Sequence, residues 1–199
     1  MTQVATIYGN SQAGATGAVL ESLLRADGWQ VSRWFQNGAK AKAICAKAVE
    51  NPSNAVAIMF AGDATEAQMR EVAAAYPRVV WVANPPATKI LDLRRAQAVF
   101  GSHVSTADHW FASGVAKERE DDATDLRRSA SRLEIELVDP RQVVQPFPAQ
   151  PDGIHMAGAT AQKVAEAVKS ATEAPQGSWS WLWLAAGGFA LWRAIVRVG

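Results

Sequence analysis

The chain has little of several features that would place it in a specialised class of protein. It has a single cysteine, Cys45, so no internal disulfide can form and a disulfide-stabilised scaffold is excluded. Cys45 lies among alanines and lysines in a helical pattern, where a packing role is expected. The 20 lysines and arginines are interspersed with 19 acidic residues, so no nucleic-acid surface is expected. The first residues lack a basic region followed by an apolar stretch, so no secretory signal is expected.

Apolar segments that alternate with helical patterns run along most of the chain. Apolar residues make up 49% of the composition, which is enough to form a substantial core. The segment 55–60 is continuously apolar, as a strand covered on both faces should be. The predicted strands are 3–8, 29–35, 55–60, 78–83 and 134–138. This alternation predicts a three-layer α/β/α sandwich with a five-stranded, mainly parallel sheet.

Helical patterns lie between these strands and after the last one. Thr65 and Gln68 have the spacing of a capping box, which predicts that a helix begins there. The predicted helical regions are 13–26, a segment ending near residue 51, 65–76, 90–132 with interruptions near Gly101 and Gly114, and 158–171. The connections that should share one edge of the sheet are 9–12, 36–39, 61–64, 84–88 and 140–157. Ligands of open parallel sheets bind at that edge, beyond the carboxyl ends of the strands.

Ser11 lies in the first of these connections, in the stretch IYGNSQAGATG (residues 7–17). A serine hydroxyl becomes a good nucleophile only when a base removes its proton, and that base is usually a histidine oriented by a carboxylate. Of the three histidines, His155 lies in a connection at the same predicted edge, and Asp152 precedes it by three residues. The pattern therefore predicts a triad of Ser11, His155 and Asp152.

The same glycine-rich stretch is also compatible with a phosphate cradle. It resembles the flavodoxin loop, in which hydroxyls and backbone N–H groups surround the phosphate of FMN at a helix N-terminus. The fold class would be the same, flavodoxin-like. However, the connections 61–64 and 84–88 contain no aromatic residue to flank a flavin, and FMN binding would leave Asp152 and His155 without a role.

An oxyanion formed during ester cleavage needs hydrogen-bond donors held in place before the reaction. The backbone N–H of Ser11, at the start of its helix, is one candidate. The N–H of Gly38, in the connection after the second strand, is another. Gly38 is equally compatible with an ordinary turn glycine.

Five segments in order resemble the conserved blocks of the SGNH (GDSL-like) hydrolases. GNSQ (9–12) resembles the nucleophile block, and Asn37-Gly38 resembles the block whose glycine donates to the oxyanion. IMFAGDA (58–64) lies where the third block belongs, VWVANPP (80–86) is similar to the proline-rich turn after strand four, and DGIHMAG (152–158) resembles the final Asp-x-x-His block. The resemblance covers residues 3 to about 171. It implies a serine hydrolase that acts on ester bonds.

The third block departs from the pattern of the family. Where SGNH hydrolases have an asparagine that donates to the oxyanion, this chain has Ala64 or, in a register shifted by one, Asp63. Alanine donates nothing, and an ionised aspartate would repel the oxyanion. Asn84 lies on the same edge and is a candidate replacement, and Asn10 and Gly62 are further candidates for oxyanion or substrate contacts.

The resemblance implies a small ester or acylated glycan as substrate, with removal of O-acetyl or another small acyl group. It implies neither a cofactor nor a metal. The departure in the third block leaves a second hypothesis open, a non-catalytic interaction module that keeps the same fold.

The last residues differ in composition from the rest. The α/β domain is predicted to span 1–172, followed by a linker at 173–178 and a tryptophan-rich segment at 179–199. The uncharged part of this segment, Trp179 to Trp192, would be about 21 Å long as a helix, short of the hydrocarbon core of roughly 30 Å. Counted on to Val198, the segment is long enough to span that core, with Arg193 and Arg197 able to reach the interface. Its tryptophans suit a membrane interface. The segment is therefore expected to be a membrane anchor, to dock on a hydrophobic protein partner, or to pack on its own domain. An envelope enzyme, or a component of a phage particle that acts on the bacterial wall, would fit both this segment and a glycan substrate.

Overall fold

The computed structural model describes residues 2–53 and 55–174, which form one α/β domain. Its sheet has five strands, all parallel, in the order β2-β1-β3-β4-β5. The strands are β1 (Val4–Gly9), β2 (Gln30–Phe35), β3 (Val56–Phe60), β4 (Arg78–Val82) and β5 (Glu136–Val138). The strand order reverses beside β1, so the carboxyl ends of β1 and β3 form the crevice in which ligands of such sheets bind. The predicted fold is confirmed.

Eight helices connect and cover the strands within the described residues. They are α1 (Ser11–Ala26), α2 (Ala41–Glu50), α3 (Glu66–Ala75), α4 (Leu93–Phe100), α5 (His109–Ala112), α6 (Val115–Leu133), α7 (Pro140–Val143) and α8 (Gly158–Glu173). Helix α3 begins with the predicted capping box of Thr65 and Gln68. Helix α1 begins at Ser11, two residues earlier than predicted, because the Asn10 side chain caps it by accepting the Gln12 N–H.

The two faces of the sheet bury separate apolar cores, since successive side chains of a strand point to opposite faces. In β1, Ile7 packs with α1 and α8, whereas Tyr8 packs with α2, α3 and α6. Trp81, in β4, is fully buried in the second core, where its indole N–H donates to the Ala61 carbonyl. The central strands are therefore covered on both faces, as the apolar run 55–60 predicted.

A third, smaller core lies outside the sheet, in the long connection between β4 and α6. Its buried members are Ala87, Ile90, Ala96, Val104, Trp110 and Ile154. Five of these belong to the connection, and Ile154 belongs to the loop before α8. The connection therefore packs against the loop that carries Asp152 and His155.

Two predicted segments differ in detail from the structure. The helical region 90–132 is divided into α4, α5 and α6, with Gly101 and Gly114 at its interruptions in left-handed backbone conformations. The proline-rich loop contains the short helix α7, which Asp139 caps by accepting the Arg141 N–H.

The segment 179–199 lies outside the described residues. Among residues 2–53 and 55–174, no helix combines the length and the apolarity needed to span a bilayer.

Candidate active site

Ser11, His155 and Asp152 form a continuous hydrogen-bonded relay at the carboxyl edge of the sheet. His155 Nε2 lies 2.6 Å from Ser11 Oγ, and His155 Nδ1 lies 2.8 Å from Asp152 Oδ2. The His155 side chain is 17% exposed and that of Asp152 only 4%. The imidazole is thus accessible to a substrate while its carboxylate partner is shielded from water. Residues separated by more than 140 positions meet in the arrangement that serine hydrolases use.

The turn that holds Ser11 is fixed by the close approach of β1 and β3. A Cβ on Gly9 would lie 2.5 Å from Phe60 Cβ, so only glycine fits at this position. One residue later, the Asn10 N–H donates to the Phe60 carbonyl, and the Asn10 side chain caps α1. Asn10 therefore supports the turn. Because Ser11 is the first residue of α1, its hydroxyl lies at the positive end of the helix dipole.

The loop that carries His155 is organised around the Asp152 carboxylate. Its Oδ1 atom accepts the backbone N–H groups of Ile154 and His155, at 2.9 and 2.8 Å. Burial alone would raise the pKa of Asp152, but the hydrogen bonds from the His155 ring and these two N–H groups outweigh burial and lower the pKa to about 2. Asp152 is therefore ionised at neutral pH. Its charge favours the imidazole tautomer with the proton on Nδ1, which leaves Nε2 free to accept the Ser11 proton.

Trp110 and Thr88 brace this loop from the third core. The Trp110 indole N–H donates to the Asp152 carbonyl at 2.9 Å, and the Thr88 N–H donates to the Gly153 carbonyl at 2.8 Å. Gly153 has φ +77°, and a Cβ there would lie 2.6 Å from the Trp110 ring. On the other side, the Phe100 ring lies parallel to the His155 ring, with centroids 5.6 Å apart. The connection between β4 and α6 thus helps to orient the His155 ring.

The buried Gln12 and the half-buried Arg119 converge on the Ile154 carbonyl. Gln12, which is 3% exposed, donates its Nε2 to this oxygen at 2.9 Å and so joins the Ser11 turn to the His155 loop. Arg119 donates to the same oxygen at 3.4 Å and to the Pro85 carbonyl at 3.0 Å. Burial and the neighbouring Arg141 lower the pKa of Arg119 to about 10, so it stays cationic at neutral pH.

These bracing residues were not predicted from the sequence. Gln12 was part of the first block, but nothing in its position indicated a contact more than 140 residues away. Trp110, Phe100 and Arg119 lie in helices whose relation to the sheet is set by tertiary packing, so no local pattern identified them.

Two backbone donors lie in the connections that follow β1 and β2 at this edge of the sheet. Among the described residues, neither the Ser11 N–H nor the Gly38 N–H has a hydrogen-bond acceptor. Gly38 has φ +72° and lies in an exposed turn closed by a bond from the Ala39 N–H to the Gln36 carbonyl. A carbonyl oxygen of a substrate could reach unpaired donors such as these.

The third block has a different arrangement. Both carboxylate oxygens of Asp63 accept the Ala41 N–H, at 3.2 and 3.3 Å, so Asp63 caps α2 from a neighbouring loop. Ala64 has no side-chain donor. The Asn84 side chain lies against Gly62, where a Cβ would be 2.3 Å from Asn84 Cγ. The structure thus brings Gly62 and Asn84 together and places the Asp63 carboxylate at a helix N-terminus.

The remaining reactive side chains lie elsewhere. Cys45 is buried in α2, and burial, together with Asp63 and Glu71, raises the pKa of its thiol to about 12. His103 and His109 pack against each other with ring centroids 5.7 Å apart, and His103 is exposed. The position of Cys45 agrees with the packing role expected for it.

Solved structures share this fold, although no protein-family model and no curated protein matches the chain. Est24, a carbohydrate acetylesterase from Sinorhizobium meliloti, has a TM-score of 0.59 at 12% identity, over 85% of this chain and 97% of Est24. A variant of Axe2, an acetyl xylan esterase from Geobacillus stearothermophilus, has a TM-score of 0.57 at 10% identity, over 86% and 94%. A candidate SGNH hydrolase from Slackia heliotrinireducens has a TM-score of 0.54 at 17% identity, over 86% and 99%. The fold is therefore that of the SGNH hydrolases, as the five blocks predicted.

Proposed function

We propose that the protein is a serine esterase of the SGNH type that removes a small acyl group, such as O-acetyl, from a glycan. The observation that carries this proposal is the relay from Ser11 Oγ through His155 to Asp152, at 2.6 and 2.8 Å. The relay has the order and spacing that general-base activation of a serine needs.

In the acylation step, Ser11 Oγ attacks the ester carbonyl and its proton passes to His155 Nε2. A bond forms between Oγ and the carbonyl carbon, and the π electrons of the carbonyl move to its oxygen. The free N–H groups of Ser11 and Gly38 donate to this oxyanion. When the intermediate collapses, the bond to the alcohol oxygen breaks and that oxygen takes the proton from Nε2. The products are the free alcohol and an acyl group on Ser11.

In the deacylation step, His155 Nε2 takes a proton from water, and the resulting hydroxide attacks the acyl carbon. Collapse of the second intermediate returns the proton to Ser11 Oγ and releases the carboxylic acid. Throughout both steps, ionised Asp152 stabilises the imidazolium and holds the ring in place.

The choice of an acylated glycan as substrate rests on the structural neighbours. Est24 is a carbohydrate acetylesterase and Axe2 is an acetyl xylan esterase. Both have the fold of this chain over most of their length.

Active-site labelling and hydrolysis test the proposal directly. The wild-type protein should react with a fluorophosphonate probe and release p-nitrophenol from p-nitrophenyl acetate. Ser11→Ala should lose the labelling, and Ser11→Ala and His155→Ala should each lose at least about 10⁴-fold in kcat. The control is Ser22→Ala, an exposed serine of α1 whose hydroxyl bonds only its own helix. Activity that survives Ser11→Ala would contradict the proposal.

A second candidate, a non-catalytic module with the same fold, is favoured by one observation. The third block has no amide side chain, and the carboxylate of Asp63 already accepts a hydrogen bond from the Ala41 N–H. An ordered triad without any probe labelling of the wild-type protein would support this candidate. Binding of the FMN phosphate by the Ser11 loop is less compatible with the structure, because the Ser11 hydroxyl is already paired with His155.

We also propose that residues 179–199 attach the domain to a membrane or to a hydrophobic partner, in an envelope or a phage particle. The support is the apolar, tryptophan-rich sequence and the point where α8 ends. Arg78, the first residue of β4, bonds the carbonyls of Ala171 and Ala174 at the amino edge of the sheet. The chain therefore leaves the domain away from Ser11, and an attached domain would keep its active site open.

Removing residues 175–199 should abolish the partitioning of the protein with membranes or with its partner. Unchanged partitioning of the shortened protein would contradict the proposed attachment.

A further inference from the structure

The absence of an amide in the third block leaves the oxyanion without a side-chain donor from that loop. In serine hydrolases such a donor contributes on the order of 10²- to 10³-fold to the rate. Asp63 cannot fill the role, because it is an acceptor and holds the Ala41 N–H. If the triad is catalytic, another group near Ser11 should supply the missing hydrogen bond.

The structure shows which side chain occupies the space next to the third block. A Cβ on Gly62 would lie 2.3 Å from Asn84 Cγ, 2.5 Å from the Asn84 backbone nitrogen and 2.6 Å from Asn84 Nδ2. The backbone of Gly62 is not in the left-handed region, so its conformation does not require glycine. Glycine is required because Asn84 lies so close. The Asn84 amide therefore occupies the volume into which a side chain at position 62 would project.

A hydrogen bond fixes the backbone of Asn84, whereas its side-chain amide makes no hydrogen bond within the described residues. The Asn84 carbonyl accepts Arg141 Nη1 at 2.6 Å, and Arg141 in turn pairs with Asp139 and Glu120. Within the described part of the chain, the Asn84 side chain has no hydrogen-bond partner, and the residue is half-buried. A fixed residue with an unengaged N–H donor has the properties that an oxyanion hole requires.

The position of Gly62 connects Asn84 with the nucleophile. Phe60, two residues before Gly62, accepts the Asn10 N–H through its carbonyl, and Ser11 follows Asn10. Gly62 and Ser11 thus flank the point where the ends of β1 and β3 meet, and the Asn84 amide covers Gly62.

We propose that Asn84 is a catalytic residue whose Nδ2 donates to the oxyanion, together with the N–H groups of Ser11 and Gly38. The donor comes from the loop after β4 instead of the loop after β3. Gly62 makes this possible by leaving room for the amide. The proposal deepens the esterase function and rests on it.

The test compares Asn84→Ala and Asn84→Asp with the wild-type protein in p-nitrophenyl acetate hydrolysis. Both variants should lose about 10²- to 10³-fold in kcat with KM changed less than threefold, because the hydrogen bond strengthens as the oxyanion forms. Asn84→Asp keeps the shape but replaces the donor with a negative charge, so it should be at least as impaired as Asn84→Ala. The matched control is Asn51→Ala, an asparagine whose side chain bonds the end of α2.

The outcomes separate the two proposals. If wild-type hydrolysis depends on Ser11 and either folded Asn84 variant keeps its kcat within threefold, the role of Asn84 is refuted and the esterase function stands. If wild-type hydrolysis does not depend on Ser11, both are refuted. Circular dichroism and the melting temperature establish that each variant is folded, and Asn84→Asp, being nearly isosteric, serves if Asn84→Ala is unstable.

Discussion

The loop that carries His155 and the backbone donors at Ser11 and Gly38 differ in how their polar groups are paired. In the loop, the carboxylate of Asp152 and the carbonyls of Asp152, Gly153 and Ile154 all have partners. By contrast, the N–H groups of Ser11 and Gly38 have no acceptor within residues 2–53 and 55–174, and Gly38 is exposed. The polar groups around Asp152 are thus paired within the protein, whereas these two donors are unpaired.

The difference matches what the proposed esterase reaction requires of each group. A general base must hold one tautomer and one orientation before the substrate arrives, so its supporting groups are paired with one another. A donor for an oxyanion must remain available until negative charge develops, so its position is fixed through neighbouring groups instead. Four substitutions or treatments, in order of decreasing expected effect, test this comparison.

Asp152→Asn should have the largest effect, because it removes the charge that selects the tautomer of His155. We expect kcat to fall about 10⁴-fold, by analogy with the loss of a triad aspartate elsewhere. Steady-state kinetics on p-nitrophenyl acetate measures this. A loss of less than tenfold would mean that Asp152 only supports the loop.

The same variant also tests the pKa of Asp152. An aspartate of an unfolded chain titrates near pH 3.9, whereas the pKa of Asp152 is lowered to about 2. Its ionised form therefore stabilises the fold above about pH 4, and this stability is lost as the pH falls towards 2. The difference in unfolding free energy between wild type and Asp152→Asn should shrink over that interval. A difference independent of pH would contradict the assignment.

Gln12→Ala should have the next largest effect, because it removes the buried hydrogen bond between the Ser11 turn and the His155 loop. We expect about a tenfold loss in kcat and a loss of about 1–3 kcal/mol in unfolding free energy. Urea unfolding and kinetics measure the two effects. The matched control is Gln162→Ala, an exposed glutamine of α8 that pairs only with Glu166, and equal effects of the two substitutions would contradict the role of Gln12.

Asp63→Ala should mainly reduce stability, because Asp63 caps α2 through the Ala41 N–H. Loss of a cap costs about 1 kcal/mol. We expect kcat to change less than threefold, since the proposed oxyanion donors lie elsewhere. Thermal unfolding and kinetics measure these values. A hundredfold loss in kcat in a folded variant would place Asp63 in the oxyanion site.

Alkylation of Cys45 should have the smallest effect. The thiol is buried and its pKa is raised to about 12, so almost no thiolate is present at neutral pH. Iodoacetamide should leave the native protein unmodified and fully active, and it should label the protein after unfolding in urea. Mass spectrometry measures the labelling. Inactivation of the folded protein by iodoacetamide would show that Cys45 is accessible.

Much of the architecture could be predicted because it depends on the local periodicity and spacing of residue types. The apolar run at 55–60 and the capping box at Thr65 each involve only a few consecutive residues. The strand and the helix could therefore be assigned without knowing what packs against them. The meeting of Ser11, Asp152 and His155 could be predicted because parallel strands bring their carboxyl ends to one edge. The short helix α7 was not predicted, because the proline-rich segment was expected to be a loop throughout.

The sequence by itself determined the alternation of strands and helices, the parallel sheet and the edge at which Ser11, Asp152 and His155 meet. Those features depend on hydrophobic period and chain direction, which are local properties. Only the tertiary structure decided that Gln12 joins the two halves of the triad, that Asp63 caps α2 and that Asn84 lies over Gly62. These contacts depend on the distance between segments far apart in the chain, and that distance is set by the packing of side chains in three dimensions.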